Sequence, residues 1–515
     1  MVTRPGVLAW SCLILATPYG WASQQLTILH TSEHHGTVLP LAVSDTKWVG
    51  GMARRATVIQ AIRSEEPSVL LVDSGDILIG TALSSWFRGE PDIRAMNLMG
   101  YQAMTAGNHD FDFGFSHLRR LQTLAGFPIL CTNLRSHDGP LPCQPFVLVR
   151  KGQFTIGVLG IVGRSNYPET FNRDVVRALD MQDPIESVRY QARLWKEGNA
   201  VDLVLVISHQ NTDEDVRLLK EVEEFDVLIG GHTEGFDGII TPDGLQSTGV
   251  VHNPRRVFVK THRQGRTLGR LDLRIEKGRV ISAQARNVPI DLDVKPDSAV
   301  QALTDAYQKQ FAGEANTIVG HSLVRLSGGH ELIRTEETNL GNLLADLLRS
   351  EFETDIAVVN SGQIRGSLPQ GPVTLGDLLA ALPFDSPVVS LELTGKQLVE
   401  ALENSVRLFQ HQSGRFLQVS GLRVKYDVSL PSGSRVIAVS IGNKPVNPGR
   451  RYSVATDAFL ADGGDGYTMF QDAGNRVDHQ TLIRDVVVQA MKRGPVMAKI
   501  DHRIQVANPT VRPLP

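Results

Sequence analysis

Between Leu26 and Asp291 short apolar runs alternate with longer amphipathic stretches. The runs at 26–29, 69–72, 156–161, 203–207 and 227–229 are close to continuous in apolar residues, the pattern of buried strands. Alternation of this kind predicts an α/β layered domain. A polar string directly follows several of the runs: SEHHG at 32–36, DSGD at 73–76, SHQ at 208–210 and GGHTE at 230–234. Ligand sites in open α/β folds gather beyond the carboxyl ends of the strands. Motifs placed this way therefore predict one shared site.

After Pro296 the periodicity changes. Val300, Leu303, Tyr307 and Phe311 recur at helical spacing, which predicts a helix over 298–311 between two compositionally similar halves. The expected organisation is a first domain at 26–295, a linker at 296–315 and a second domain at 316–515. The second half has alternating strands of its own, at 356–359 and 388–393, and its own glycine-rich turns. Two domains also suit the length, since 515 residues exceed what one hydrophobic core organises.

Composition narrows the class without deciding it. With 42% hydrophobic and 21% charged residues, the chain reads as an ordinary globular protein. A formal net charge of −3 gives no footprint for polymeric nucleic acid, whereas a small nucleotide needs only a few local cations. Arg4, the apolar run at 7–16 and the small residues Gly20 and Ala22 read as an export signal over 1–22, cleaved before Ser23. That run is too short for a permanent membrane span. No later segment is apolar for long enough, and the tail ANPTVRPLP lacks the apolar run of a lipid-anchor signal. The mature chain is expected to be periplasmic or secreted, without a membrane anchor, and no repeat or patch points to a protein partner. Cys131 and Cys143 remain once the leader is removed, and an oxidising compartment favours a disulfide between them.

Candidate metal ligands sit at the ends of the apolar runs. Glu33 and His35 are two apart, so an extended segment projects both from one face. Asp76 closes the DSGD turn, Asn108 and His109 fall in GNHDFDFG at 107–114, and His209 ends a strand. His232 and Glu234 repeat the two-apart spacing. Two neighbouring divalent ions need a bridging carboxylate, several further donors and an open position for water, and this inventory can supply them.

These motifs, in this order, resemble the 5′-nucleotidase branch of the calcineurin-like metallophosphoesterases. The family pattern is D-x-H, G-D, G-N-H-E/D-F-D, a histidine after an apolar strand, and G-G-H-x-H. The resemblance implies an N-terminal four-layer α/β sandwich and a C-terminal α/β nucleotide-binding domain. It implies that Asp76 bridges two ions, with Glu33, His35 and Glu234 completing one site and Asn108, His209 and His232 the other. His109 would stabilise charge on the phosphoryl group, held cationic by Asp112. Two departures fall on one metal site: Glu33 stands where the family has aspartate, and Glu234 where it has histidine. Glu33 keeps an oxygen donor that is one methylene longer, while Glu234 in place of histidine makes the site more anionic and oxygen-rich, so Mn²⁺ or Mg²⁺ is expected over Zn²⁺, with Co²⁺ also a candidate.

The second half continues the resemblance in RTEETNLGN from Arg334, NSGQIRG from Asn360, LPFDSP from Leu382, GRFLQVSGL from Gly414 and FLADGGDGY from Phe459. By it, Phe384 and Phe459 would sandwich a base, and Asp465 would accept from the ribose hydroxyls. Asn360, Arg365 and Arg334 would hold phosphate or ribose, a planar guanidinium being suited to phosphate. Ser386 stands where relatives often carry a base-contacting asparagine. The implied function is metal-dependent hydrolysis of nucleotide phosphate esters: nucleoside monophosphates, and also di- or triphosphates or nucleotide sugars. The alternatives are a 2′,3′-cyclic-nucleotide phosphodiesterase or 3′-nucleotidase, a hydrolase of protein-carried sulfur esters, and a nucleotide-binding protein whose metal site has decayed.

Overall fold

The strand Gln24–Thr31 lies inside a seven-stranded sheet. The order is Val251–His252, Arg279–Pro289, Thr267–Glu276, Gln24–Thr31, Val69–Asp73, Ala103–Thr105, Ile129–Leu130. A second seven-stranded sheet runs Gln246–Ser247, Ile239–Ile240, Val257–Lys260, Val227–Gly230, Leu203–His209, Phe154–Val162, Phe146–Lys151. This computed structural model describes residues 24–42, 48–164, 167–168, 171, 173–442 and 444–507. The expected leader at 1–22 lies outside the described residues.

The period-2 alternation of a strand explains why the runs are apolar throughout. Leu205 and Ile207 face a core shared with Leu26, Ile28, Leu70 and Val72 of the other sheet. Val204 and Val206, pointing the opposite way, pack with Val188, Trp195 and Leu218 of the helices Pro184–Glu197 and Thr212–Glu221. On the far side, Leu29 and Leu71 meet Ile59, Met96 and Leu118 from the helices Met52–Glu65, Glu90–Met99 and Gly114–Leu124. The first half is therefore helix, sheet, sheet, helix: the four layers that the resemblance implied.

Strand direction places the site. Gln24–Thr31, Val69–Asp73, Ala103–Thr105 and Ile129–Leu130 run parallel, as do Phe154–Val162, Leu203–His209, Val227–Gly230 and Val257–Lys260. The carboxyl ends of both sets meet, since His209 Nδ1 and the carbonyl of Ser74 are 2.6 Å apart.

The helix Ser298–Ala315 begins where the periodicity placed it, because Asp297 caps it by accepting from Ala299 N (3.1 Å) and Val300 N (2.9 Å). It runs four residues past Phe311. Rather than bridging solvent, it docks: Val300 is buried, Leu303, Tyr307 and Phe311 lie on the first core, and Tyr307 donates to Glu90 (2.9 Å). Beyond it a five-stranded sheet runs Leu417–Ser420, Ile356–Asn360, Arg451–Asp457, Pro387–Thr394, Gly474–Leu482. A four-stranded sheet follows beside it, Lys444–Pro445, Val436–Ile441, Leu422–Asp427, Ile504–Ala507. The halves adjoin through Arg88 and Asp385 (3.0 Å), and Arg484 also pairs with Asp385.

Among the described residues no helix is long and apolar enough to cross a membrane. Cys131 and Cys143 are bonded, with Cα atoms 5.8 Å apart and a sequence separation of 12. Closing a loop of that size stabilises a fold by about 3 kcal/mol in the chain-entropy account. The double variant Cys131→Ser, Cys143→Ser is expected to lose that amount, read as a lower denaturant midpoint with a steeper slope, because the unlinked chain exposes more surface on unfolding.

Candidate active site

The loops leaving the strand ends are held in unusual backbone conformations. Glu33, His35, Asp76 and His232 have φ of 52°, 47°, 58° and 64°, a region that costs a non-glycine residue of order 1–3 kcal/mol. Bonds between loops hold them there. Glu33 N–H donates to Gly75 O (3.0 Å), His35 N–H to Asp76 O (2.9 Å) and Gly36 N–H to Ile77 O (2.8 Å). Asp110 accepts from the amides of Gly107 (2.8 Å), Asp76 (3.0 Å) and Ile77 (3.1 Å). The crossing requires glycine at 107, because a Cβ there would stand 2.2 Å from Asp76 Oδ1.

Six of the expected ligand side chains meet as a result. His209 Nε2 lies 3.3 Å from Asp76 Oδ2, 3.3 Å from Asn108 Oδ1 and 3.3 Å from His232 Nδ1. On the other side of Asp76, His35 Nε2 lies 3.3 Å from Glu33 Oε2 and 4.0 Å from Asp76 Oδ2. The groups Asp76–His209–His232 and Glu33–His35–Asp76 each keep their donor atoms within 4.8 Å of one another, and they share Asp76. A shared carboxylate with nitrogen and oxygen donors on both sides is what two adjacent divalent ions need.

Electrostatics shows how strongly the cluster calls for positive charge. Burial opposes the ionised form of Asp76, but His209 and then His109 outweigh it and hold the carboxyl well below its usual range. Glu33 is likewise opposed by burial and by Asp76, yet His209 and His35 bring it down to about 2. Burial opposes the charged form of His209 too, and Asp76 and Glu33 outweigh it, raising the ring to about 10. Burial, then His209, lowers His232 to about 4, so its ring is neutral and keeps a lone pair to donate. Two buried carboxylates this close require positive charge beside them.

Glu234, also expected among the ligands, stands apart from both donor groups. Its side chain is 51% exposed and is turned outward, accepting from Arg266 Nη2 (2.8 and 3.0 Å) and standing 3.0 Å from His262 Nδ1. The physical reason is competition: both oxygens of the flexible carboxylate accept from Nη2 of the neighbouring guanidinium in a charge-assisted contact.

His109 lies beside the cluster without belonging to either donor group. Its Nδ1 is 2.8 Å from Asp112 Oδ2, its amide donates to Asp76 Oδ1 (2.9 Å), and its ring centroid is 5.6 Å from that of His35. Burial disfavours its charged form, but Asp112 and Asp76 outweigh burial and its pKa is raised. The second half closes over this point. The ring of Phe384 is 6.1 Å from that of His109, and Arg365 stacks on Phe384 at 5.3 Å. Asn360 donates to Asp465 Oδ2 (2.7 Å), and Asp465 itself has φ of 51°. Arg334 donates to Gln412 O (3.1 Å). Phe459 lies against Gly464, one residue before Asp465.

Two residues at the site escaped the sequence reading. Asp110 was visible only as part of GNHDFD, which does not say that its carboxylate gathers backbone amides. Arg263 carried no signal, since only the fold brings the turn at 261–266 to Glu33.

Comparison with known proteins places both halves. The chain matches the calcineurin-like phosphoesterase family over residues 26–234 and the 5′-nucleotidase C-terminal domain family over residues 318–472. It is 30% identical over 540 aligned positions to a snake venom 5′-nucleotidase of Gloydius brevicauda, covering 96% of this chain and 90% of that one. It is similar to the crystal structure of a 5′-nucleotidase precursor from Thermus thermophilus, with a TM-score of 0.80 and 29% identity, covering 94% of this chain and 100% of that one. A Thermus thermophilus sulfate thiohydrolase shares the fold alone, with a TM-score of 0.69 and 19% identity over 95% of this chain and 98% of that one.

Proposed function

The chain belongs to the 5′-nucleotidase family of calcineurin-like metallophosphoesterases, and from that premise we propose that it hydrolyses nucleoside monophosphates to nucleoside and phosphate. One observation carries the reading most of the way. The carboxylate–imidazole cluster of the first half adjoins the second half, where the ring of Phe384 lies 6.1 Å from that of His109 and Arg365 stacks on Phe384.

Asp76 holds the shared position, Glu33 and His35 complete one donor set, and Asn108, His209 and His232 complete the other. Two divalent ions bound there would polarise the phosphoryl oxygens and bring a water's pKa toward neutrality. His109, its Nδ1 committed to Asp112, offers Nε2–H to the charge that grows on the phosphoryl oxygens. Arg334 and Arg365 bind the phosphate or ribose, and Asp465, steadied by Asn360, accepts from the ribose hydroxyls. Phe384 and Phe459 flank the base, and stacking of that kind tolerates every base. Because the metals and the base contacts lie in different halves, turnover requires the halves to open and close about Ser298–Ala315, with Arg88–Asp385 making and breaking.

With Glu234 tied to Arg266, no preference for Mn²⁺ or Mg²⁺ over Zn²⁺ follows from the departures, because Glu33 only keeps the oxygen donor of an aspartate. Glu234→Ala is accordingly expected to leave bound metal at two ions per chain, whereas loss of an ion from that variant would return Glu234 to the ligand set. The leader motif at 1–22 and the bonded cysteines support export to a periplasm or beyond.

The test uses mature chain stripped with chelator and reconstituted with Mn²⁺, Mg²⁺, Co²⁺ or Zn²⁺. Phosphate release is followed from AMP, ATP, a nucleotide sugar, 2′,3′-cyclic AMP and an aryl phosphate. Metal-dependent release that favours AMP is expected. Equal turnover of the aryl phosphate would leave the metal cluster standing and remove the nucleoside pocket.

A further inference from the structure

Arg334 and Arg365 have a place in the proposed reaction, but a third guanidinium at the same cleft does not. Arg263 stands in the turn between Val257–Lys260 and Thr267–Glu276. That turn is fixed to the metal loop, because Gln264 N–H donates to Glu33 O (2.8 Å). Gln264 and Gly265 have φ of 58° and 66°, and the tight bend aims the side chain of Arg263 inward. Its Nη2 lies 3.7 Å from Glu33 Oε2 and 3.5 Å from His35 Nε2. The side chain remains 34% exposed, so one face of the guanidinium borders the cleft.

The other two arginines approach from the second half, and each brings a buried Nε with no hydrogen-bond partner among the described residues. Burial lowers Arg365, and Arg263 lowers it further against the pull of Asp112. Burial, then Arg365, and more weakly Arg263, bring Arg334 down to about 9. Three cations thus press on one another while two donors go unused. Unpaired buried donors and converging like charges are costly unless an anion sits between them. A phosphoryl group, with several acceptor oxygens and up to two negative charges, suits that space.

We propose that Arg263 contacts the scissile phosphoryl group, completing with Arg334 and Arg365 a cradle to which both halves contribute. The proposal rests on the phosphoesterase reading and adds a residue to it. Arg263 reaches the phosphoryl group from the metal side, while Arg334 and Arg365 reach it from the nucleoside side. The cradle is whole only when the halves adjoin, so closure and phosphate recognition become one event. Arg263 acts on the phosphate and not on the nucleoside.

The experiment compares wild type, Arg263→Ala and Arg263→Lys as metal-loaded full-length mature chain. It measures ions per chain, calorimetric binding of inorganic phosphate, inhibition by adenosine, and kcat and KM for AMP. Arg263→Ala is expected to keep two ions per chain, to weaken phosphate binding about tenfold or more, and to leave adenosine inhibition unchanged. Its kcat/KM should fall about 100-fold, in line with loss of a charge-assisted contact to a transferring phosphoryl group. Arg263→Lys, which keeps the charge but loses the fork, should fall between the two. Unaltered phosphate affinity and kcat/KM in Arg263→Ala would overturn the proposal. Loss of an ion with phosphate affinity intact would also overturn it, making Arg263 a partner of Glu33 only. Wild-type chain inactive on AMP would count against the phosphoesterase reading instead, and the phosphate titration would still decide the role of Arg263.

Discussion

Asp76→Asn is expected to cut phosphate release from AMP by about 10³-fold and to bring bound metal below two ions per chain. Asparagine is the informative replacement because it tolerates the left-handed φ of 58°. It also keeps an oxygen to accept from the amide of His109, which now donates to Asp76 Oδ1. The fold should therefore survive, and only the shared anionic ligand is lost. Asp76 is the one residue common to both donor groups, so both sites weaken together. Metal-borne charge stabilisation contributes several kcal/mol to such reactions, and about 4 kcal/mol corresponds to about 10³-fold. Metal analysis alongside initial rates checks the prediction, and a variant that keeps both ions and most of its rate would contradict the shared role.

His109→Ala should produce a comparable loss of kcat, about 10²- to 10³-fold, with a different signature. His109 is in neither donor group, so two ions should remain bound and KM for AMP should change little. Asp112→Asn should lower kcat in the same direction by less, since it removes the partner that orients His109 and favours its charged form. Loss of metal in His109→Ala would move His109 into the ligand set and remove its separate role.

The sequence carried more of the site than of its supports. A strand buried on both faces announces itself as a continuous apolar run, and the residue just past its end has few places to go. Glu33, Asp76 and His209 could therefore be grouped from strand ends alone, and the structure brings them together. Glu234 could not be read that way. The two-apart spacing from His232 says which face a side chain leaves, but it cannot see Arg266, 32 positions later, competing for the carboxylate. The motif already gave Asp112 to His109, but only three dimensions assign Asp110, two residues before it, to backbone amides. The helix was legible from its period over 298–311. Its docking on Glu90 and the first core was not, because a helical stripe of apolar residues does not name its partner.

In the proposed reaction two ions at the Asp76 cluster and the nucleoside-binding residues of the other half act together on a nucleotide. The most direct measurement titrates chelator-stripped chain with Mn²⁺ while following phosphate release from AMP and from an aryl phosphate. AMP turnover is expected to rise until two ions are bound per chain and to exceed aryl phosphate turnover throughout. Turnover complete at one ion, or phosphate release that persists without metal, would contradict that joint action.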